Sequence, residues 1–151
     1  MGTKLNTYLK MKSSLLKVGW LCAVLAIGAF RALALDGAVV IANTGVAADS
    51  LSAEALKDIY TGKTKYWDGG QAIIIAVLPD KTDAALQQAC GMDTSSFKTF
   101  WQRLAFSGRG QEPKKADDAA AVVALVAATK GAIAIVPADA ALNGVKKIEI
   151  K

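Results

Sequence analysis

The stretch Gln71–Gly91 reads QAIIIAVLPDKTDAALQQACG and predicts a strand, a tight turn and a helix. Ala72–Leu78 is apolar at every position, which suits a strand buried on both faces of a sheet covered by helices. Pro79 ends this run because proline has no N–H for the ladder, and Ala84–Ala89 continues as a helix. A helix starting at the carboxyl end of a parallel strand favours anion binding. The alternative is that an acid of the turn only caps the helix.

Other apolar runs predict further strands in the same domain. Gly37–Ala42 and Ala132–Val136 are apolar without alternation, as the central strand is. Amphipathic helices are predicted between them, at Ala53–Tyr60 and after Asp93. Because strands and helices alternate along the chain, the sequence predicts an α/β fold with a mixed, mostly parallel sheet flanked by helices. The core is expected to contain Ile74 or Ile75, Leu125 and Ile133.

The basic charge of the chain belongs to its first 34 residues. The whole chain of 151 residues has a formal net charge of +5, and residues 1–34 hold five basic residues and no acidic one. Leu35–Lys151 contains 13 basic and 13 acidic residues, so this part is neutral. Its charge gives no reason to expect a nucleic-acid partner.

Residues 1–34 have the three parts of a secretory signal peptide. Lys10, Lys12 and Lys17 precede an apolar segment, Val18–Phe30, which is shorter than the roughly 20 residues of a membrane span. Ala32-Leu33-Ala34 has the small residues of a cleavage site. We therefore expect a periplasmic protein cleaved after Ala34, with residues 35–151 forming one α/β domain.

The residue types give little support for an enzyme. The chain has no histidine, the commonest general base and metal ligand, and no Cys, Asp or Glu spacing typical of a metal site. Cys90 is the only cysteine after residue 34 and is expected to be a small buried hydrophobe. We expect a protein that is not an enzyme, with no cofactor and no metal site.

Three stretches resemble the phosphate-binding receptors of phosphate ABC importers. Leu51–Gly70, LSAEALKDIYTGKTKYWDGG, is similar to their Leu-Ser-x-x-x-Leu-x-x-Ile-Phe-x-Gly-Lys-x-x-x-Trp stretch. Thr129–Ala141 is similar to their Thr-Pro-Gly-Ala-Ile-Gly-Tyr-Val stretch, and Phe100–Lys114 resembles the short, signal-bearing members of the family. The resemblance implies the type II periplasmic-binding-protein fold, of which this domain is long enough for a single lobe.

The turn after the central strand departs from that family. In the receptors it resembles Arg-x-x-Gly-Ser-Gly-Thr and holds the anion, whereas this chain has Leu78-Pro79-Asp80-Lys81-Thr82-Asp83-Ala84. Leucine stands in the place of the arginine, and Thr82 is the only hydroxyl. Two carboxylates flank it and repel a phosphate dianion, although Lys81 offsets one of them.

The predicted anion site combines this turn with residues from elsewhere in the chain. Asn43 and Thr44 also follow a strand, so they are expected at the same end of the sheet. Arg109 lies between two glycines, and its guanidinium can bond an oxyanion twice. The candidate ligand-binding residues are Asn43, Thr44, Asp80, Lys81, Thr82 and Arg109.

The sequence leaves two functions open. The first is a periplasmic solute-binding protein of the phosphate ABC transporter receptor type, which binds a small oxyanion and delivers it to a membrane permease. The second is a ligand-free interaction module that docks on a membrane transporter or sensor, which the altered anion turn favours. A single lobe would expose its former cleft face, so self-association is also expected.

Overall fold

The computed structural model describes residues 35–79 and 81–151. The expected signal peptide, residues 1–34, and the candidate ligand residue Asp80 lie outside the described residues. Within the described ranges, six strands form one mixed sheet and four helices flank it. The α/β fold class predicted from the sequence is confirmed.

The strands run in different directions across this sheet. They are β1 Ala38–Asn43, β2 Ser50–Leu51, β3 Ile74–Val77, β4 Lys114–Lys115, β5 Ala132–Pro137 and β6 Val145–Ile150, in the spatial order β2-β6-β1-β5-β3-β4. β1 is antiparallel to β5 and β6. β3 is parallel to β4 and β5, and β2 is parallel to β6. The carboxyl-terminal ends of β1 and β3 therefore lie at opposite ends of the sheet, measured along the strands.

The helices begin at polar residues that bond to their first free amides. They are α1 Ala53–Tyr60, α2 Asp83–Cys90, α3 Thr94–Phe106 and α4 Ala119–Ala128. Ser52, Asp93 and Asp118 each accept a hydrogen bond from the backbone N–H three residues later. The bond from Ser96 holds the pKa of the Asp93 carboxyl below its usual value. α2 begins after Thr82 without a side-chain cap.

The sheet separates two hydrophobic clusters. One contains side chains of α1, α2 and α3, and the other contains side chains of α4. Ile75 and Ile133 are buried as predicted, but Leu125 is only partly buried. Val122 and Val126 are the fully buried pair of α4. They lie one above the other at i and i+4, so Leu125 falls at the margin of the face that meets the sheet.

The loop before β3 is held along the outer edge of that strand. The indole Nε1 of Trp67 donates to the Gly131 carbonyl at 3.0 Å, and the Ile74 N–H donates to the same carbonyl at 3.1 Å. The Ile73 N–H donates to the Lys65 carbonyl at 2.9 Å. These bonds fix the backbone of the loop and the Trp67 ring relative to β3.

None of the helices in the described part of the chain has the length and hydropathy needed to cross a bilayer.

Candidate anion-binding site

Asn43 lies at the opposite end of the sheet from the predicted anion turn. The prediction that Asn43 and this turn form one anion site is therefore wrong. The physical reason is that β1 runs antiparallel to β5, whereas β3 runs parallel to it. Asn43 is 6% exposed, and its amide donates to the carbonyls of Val126 and Ala127, both at 2.9 Å. Its Oδ1 accepts from the Gly45 N–H at 2.9 Å. Asn43 therefore caps the carboxyl end of α4 through its side-chain amide. The exposed Thr44 next to it lies at the same end of the sheet.

The turn after β3 uses its polar side chains internally. Thr82 is 5% exposed, and its hydroxyl donates to the Leu78 carbonyl at 2.9 Å. The carboxylate of Asp83 accepts from the N–H and the hydroxyl of Thr94, at 2.7 and 2.6 Å. Lys81 is exposed. The Thr82 hydroxyl proton is thus already donated, which weakens this turn as an anion site.

Arg109 lies elsewhere, in a cavity of about 310 Å³ at the outer edge of β3, which we call the Arg109 cavity. One wall is the loop before β3, with Lys65 and Tyr66. The opposite wall is the segment after α3, with Arg109 and Lys114. Neither Lys81 nor Thr82 lines it. The structure therefore separates Arg109 from the other predicted ligand residues that it describes, namely Asn43, Thr44, Lys81 and Thr82.

Three cationic residues line the Arg109 cavity. Within 4 Å, Lys65, Arg109 and Lys114 have no ion-pair partner among the residues the structure describes. The one carboxylate in the lining, Glu112, lies 3.8 Å from Lys115. The cavity is therefore locally positive in a domain that is neutral as a whole, which favours an anionic ligand.

The backbone of β3 also faces the Arg109 cavity. Ile74 and Ala76 pair with β5 through their backbone groups, so those of Ile73 and Ile75 point to the other side. The Ile73 N–H bonds to the preceding loop, and β4 pairs only with Ala76 and Val77. The Ile75 N–H therefore points away from β5, toward the side of β3 on which the loop and β4 lie.

The segment that carries Arg109 is held against Trp101. The indole Nε1 of Trp101 donates to the Tyr60 carbonyl at 3.1 Å, which fixes the ring. A Cβ at Gly110 would lie 2.9 Å from the ring carbon Cζ3, closer than real Cβ contacts. The glycine after Arg109 therefore allows the backbone to pass directly over the indole.

The two glycines that flank Arg109 made it a candidate in the sequence, but no sequence feature indicated that Lys65 and Lys114 would line the same cavity. Lys65 is distant in the chain from both Arg109 and Lys114, whereas Lys114 lies only five residues after Arg109. Both lysines belong to short polar stretches, which are typical of solvated loops. Pairing of the loop and of β4 with β3 brings them together.

A second cavity, of about 250 Å³, lies between α3 and β4. Its lining includes Phe97, Pro79 and Pro113, with Lys98 and Lys115 as its cations. Trp101 and Glu112 line both cavities. This second cavity adjoins the end of β3 and still does not include Lys81 or Thr82.

Cys90 has the character of a core residue. Its thiol donates to the Leu86 carbonyl at 3.2 Å, and burial raises its pKa, so little of the reactive thiolate forms. Across residues 35–79 and 81–151, no three His, Cys, Asp or Glu residues are grouped to hold a metal ion.

Comparison with solved structures finds the same fold in phosphate receptors. A Clostridium perfringens protein described as a phosphate ABC transporter substrate-binding protein, solved with bound phosphate, matches 76% of this chain with a TM-score of 0.60 and 20% identity. An ABC-type phosphate transport receptor from Vibrio cholerae matches 76% with a TM-score of 0.51 and 18% identity. The matches span 45% and 46% of those chains. No protein-family model and no curated protein matches the sequence.

Proposed function

We propose that this domain binds a small oxyanion of the phosphate kind in the Arg109 cavity. The domain shares its fold with less than half of each phosphate receptor above. The observation that carries the proposal is the convergence of three cations without ion-pair partners on one cavity. The named ligand of the structural neighbours supports an oxyanion as the solute.

The chemistry of binding follows from the positions of the donors. The guanidinium of Arg109 can donate two parallel hydrogen bonds to one oxyanion. Lys65 and Lys114 add charge from the two walls, and the Ile75 N–H supplies a fixed donor at the edge of β3. The cavity is open to solvent, so a bound ion keeps part of its hydration and the affinity is modest.

The biological setting is part of the same proposal. The protein is a binding protein rather than an enzyme, is exported to the periplasm and hands its solute to a membrane permease. The lysines, apolar segment and Ala32-Leu33-Ala34 site of the first 34 residues support export. Sequencing the amino terminus of the exported protein should give Leu35 first, and a full-length amino terminus would contradict this.

Titration calorimetry of the whole chain with phosphate, sulfate and molybdate tests the proposal. Arg109→Gln should weaken binding about tenfold to hundredfold, because a charged hydrogen bond contributes about 1.5–3 kcal/mol. Arg103→Gln is the matched control, since Arg103 is exposed and lines neither cavity. Thr82→Ala should leave the affinity unchanged.

Two results of this titration would contradict the proposal. No heat and no thermal shift with any anion at millimolar concentration would reject direct binding. A large loss of affinity in Thr82→Ala, with none in Arg109→Gln, would place the site at the turn after β3 together with Lys81.

A docking module remains the second candidate, and two exposed aromatic side chains favour it. Phe106 is 93% exposed and Tyr66 is 63% exposed, so both rings are accessible to a partner. The partner would be a membrane transporter or sensor, or a second copy of the chain. Failure of every anion to bind, with self-association in sedimentation, would favour this function.

A further inference from the structure

We infer that the oxyanion bound in the Arg109 cavity is carried on a flat apolar body, as in an aryl phosphate or an aryl carboxylate. This inference rests on the proposed function and adds the chemical class of the solute. Its basis is the size of the cavity and the separation of apolar and charged groups within it.

The volume of the Arg109 cavity fits an organic ligand. At about 310 Å³, it falls at the lower end of the range of roughly 300–1,000 Å³ for pockets that bind organic molecules. A bare tetrahedral oxyanion has a single atom at its centre and would contact only one part of the lining. The rest of the cavity would stay filled with water.

The inner wall of the cavity is apolar. Ile59 of α1, Ile75 of β3 and Trp101 of α3 are buried core residues that also line the cavity. The indole N–H of Trp101 is bonded to the Tyr60 carbonyl, so the ring offers the cavity only its hydrocarbon part. An inorganic anion gains nothing from such a wall, whereas a ring covers it and releases water.

The outer part of the cavity is charged and carries one aromatic ring. Lys65, Arg109 and Lys114 are exposed, and so is Tyr66 in the wall that contains Lys65. The backbone of Tyr66 is fixed by its bridge to Ala72, and its exposed ring is free to pack on a solute in the cavity. A solute with a charged head and a flat body can place the head at Arg109 and pack the body against aromatic and aliphatic surface.

The decisive experiment compares ligands that differ only in the apolar body. Calorimetry of the whole chain is carried out with phenyl phosphate and methyl phosphate, and with benzoate and acetate. Phenyl phosphate should bind about tenfold more tightly than methyl phosphate, the factor expected when about 60 Å² of ring surface is buried. A ring preference in the carboxylate pair instead would identify the head group as a carboxylate.

Two variants test whether the preference arises in this cavity. Tyr66→Ser should weaken phenyl phosphate binding more than methyl phosphate binding, and so reduce the ratio of the two affinities. Phe106→Ser is the matched control, because Phe106 is exposed and does not line the cavity. Arg109→Gln should weaken both phosphate ligands.

The failures of the two proposals are distinguishable. Equal affinity within each ligand pair would overturn the inference and leave the proposed function standing. A ring preference that survives Tyr66→Ser and falls in Phe106→Ser would also overturn it. If none of the four ligands and no inorganic anion binds, the proposed function fails.

Discussion

Replacing Gly131 with alanine should lower the free energy of unfolding by about 3 kcal/mol or more, one of the largest single effects that this fold predicts. Gly131 has φ +77°, a conformation that costs other residues energy, and an added Cβ would overlap the carbonyl oxygen of Ala72. The Gly131 carbonyl also accepts from Trp67 and Ile74. Relief of the overlap would therefore displace the loop that forms one wall of the Arg109 cavity.

Gly70→Ala provides a matched control for this loss of stability. Gly70 has nearly the same φ, +78°, but nothing lies within 4 Å of an added Cβ. It should lose only about 1–2 kcal/mol, the cost of the left-handed conformation. Urea denaturation of both variants gives the difference, and equal losses would contradict the close contact between Gly131 and Ala72.

Asn43→Ala should be destabilising by about 2–4 kcal/mol and should leave anion affinity unchanged. The substitution removes the donor to two carbonyls at the end of α4, those of Val126 and Ala127. A buried group left without its partner costs about 1–3 kcal/mol. Denaturation measures the loss of stability, and calorimetry with phosphate measures binding.

Thr44→Ala is the control for Asn43, because Thr44 is exposed at the same end of the sheet. It should change stability by less than about 0.5 kcal/mol. If Asn43→Ala weakened anion binding and left stability intact, Asn43 would be a ligand residue as the sequence suggested, and its structural role would be wrong.

The strands could be found from the sequence because buried strands need continuous apolar runs. The apolar runs Gly37–Ala42, Ala72–Leu78 and Ala132–Val136 contain β1, β3 and β5, and no strand extends more than one residue beyond its run. An apolar run does not reveal the direction of its strand, since parallel and antiparallel neighbours bury the same side chains. The expectation that Asn43 would join the turn after β3 failed for that reason.

The hydrogen bond of the Thr82 hydroxyl to the backbone could have been predicted from the sequence around it. A threonine hydroxyl often bonds a carbonyl four residues earlier, and Thr82 does so with Leu78. The grouping of Arg109 with Lys65 and Lys114 could not be predicted from the sequence, because it depends on the pairing of the loop and of β4 with β3. Arg109 as a ligand residue therefore stays a prediction, and the residues grouped with it, such as Asn43 and Thr82, lie elsewhere in the structure.

The central claim is that an oxyanion binds in the Arg109 cavity, and amide chemical shifts measured during a phosphate titration test it most directly. We expect the largest saturating shifts at the amides of Ile75, Gly108, Arg109 and Gly110, with those of Lys81–Asp83 and Asn43 unchanged. Shifts confined to Lys81–Asp83, or no shifts at millimolar phosphate, would contradict it.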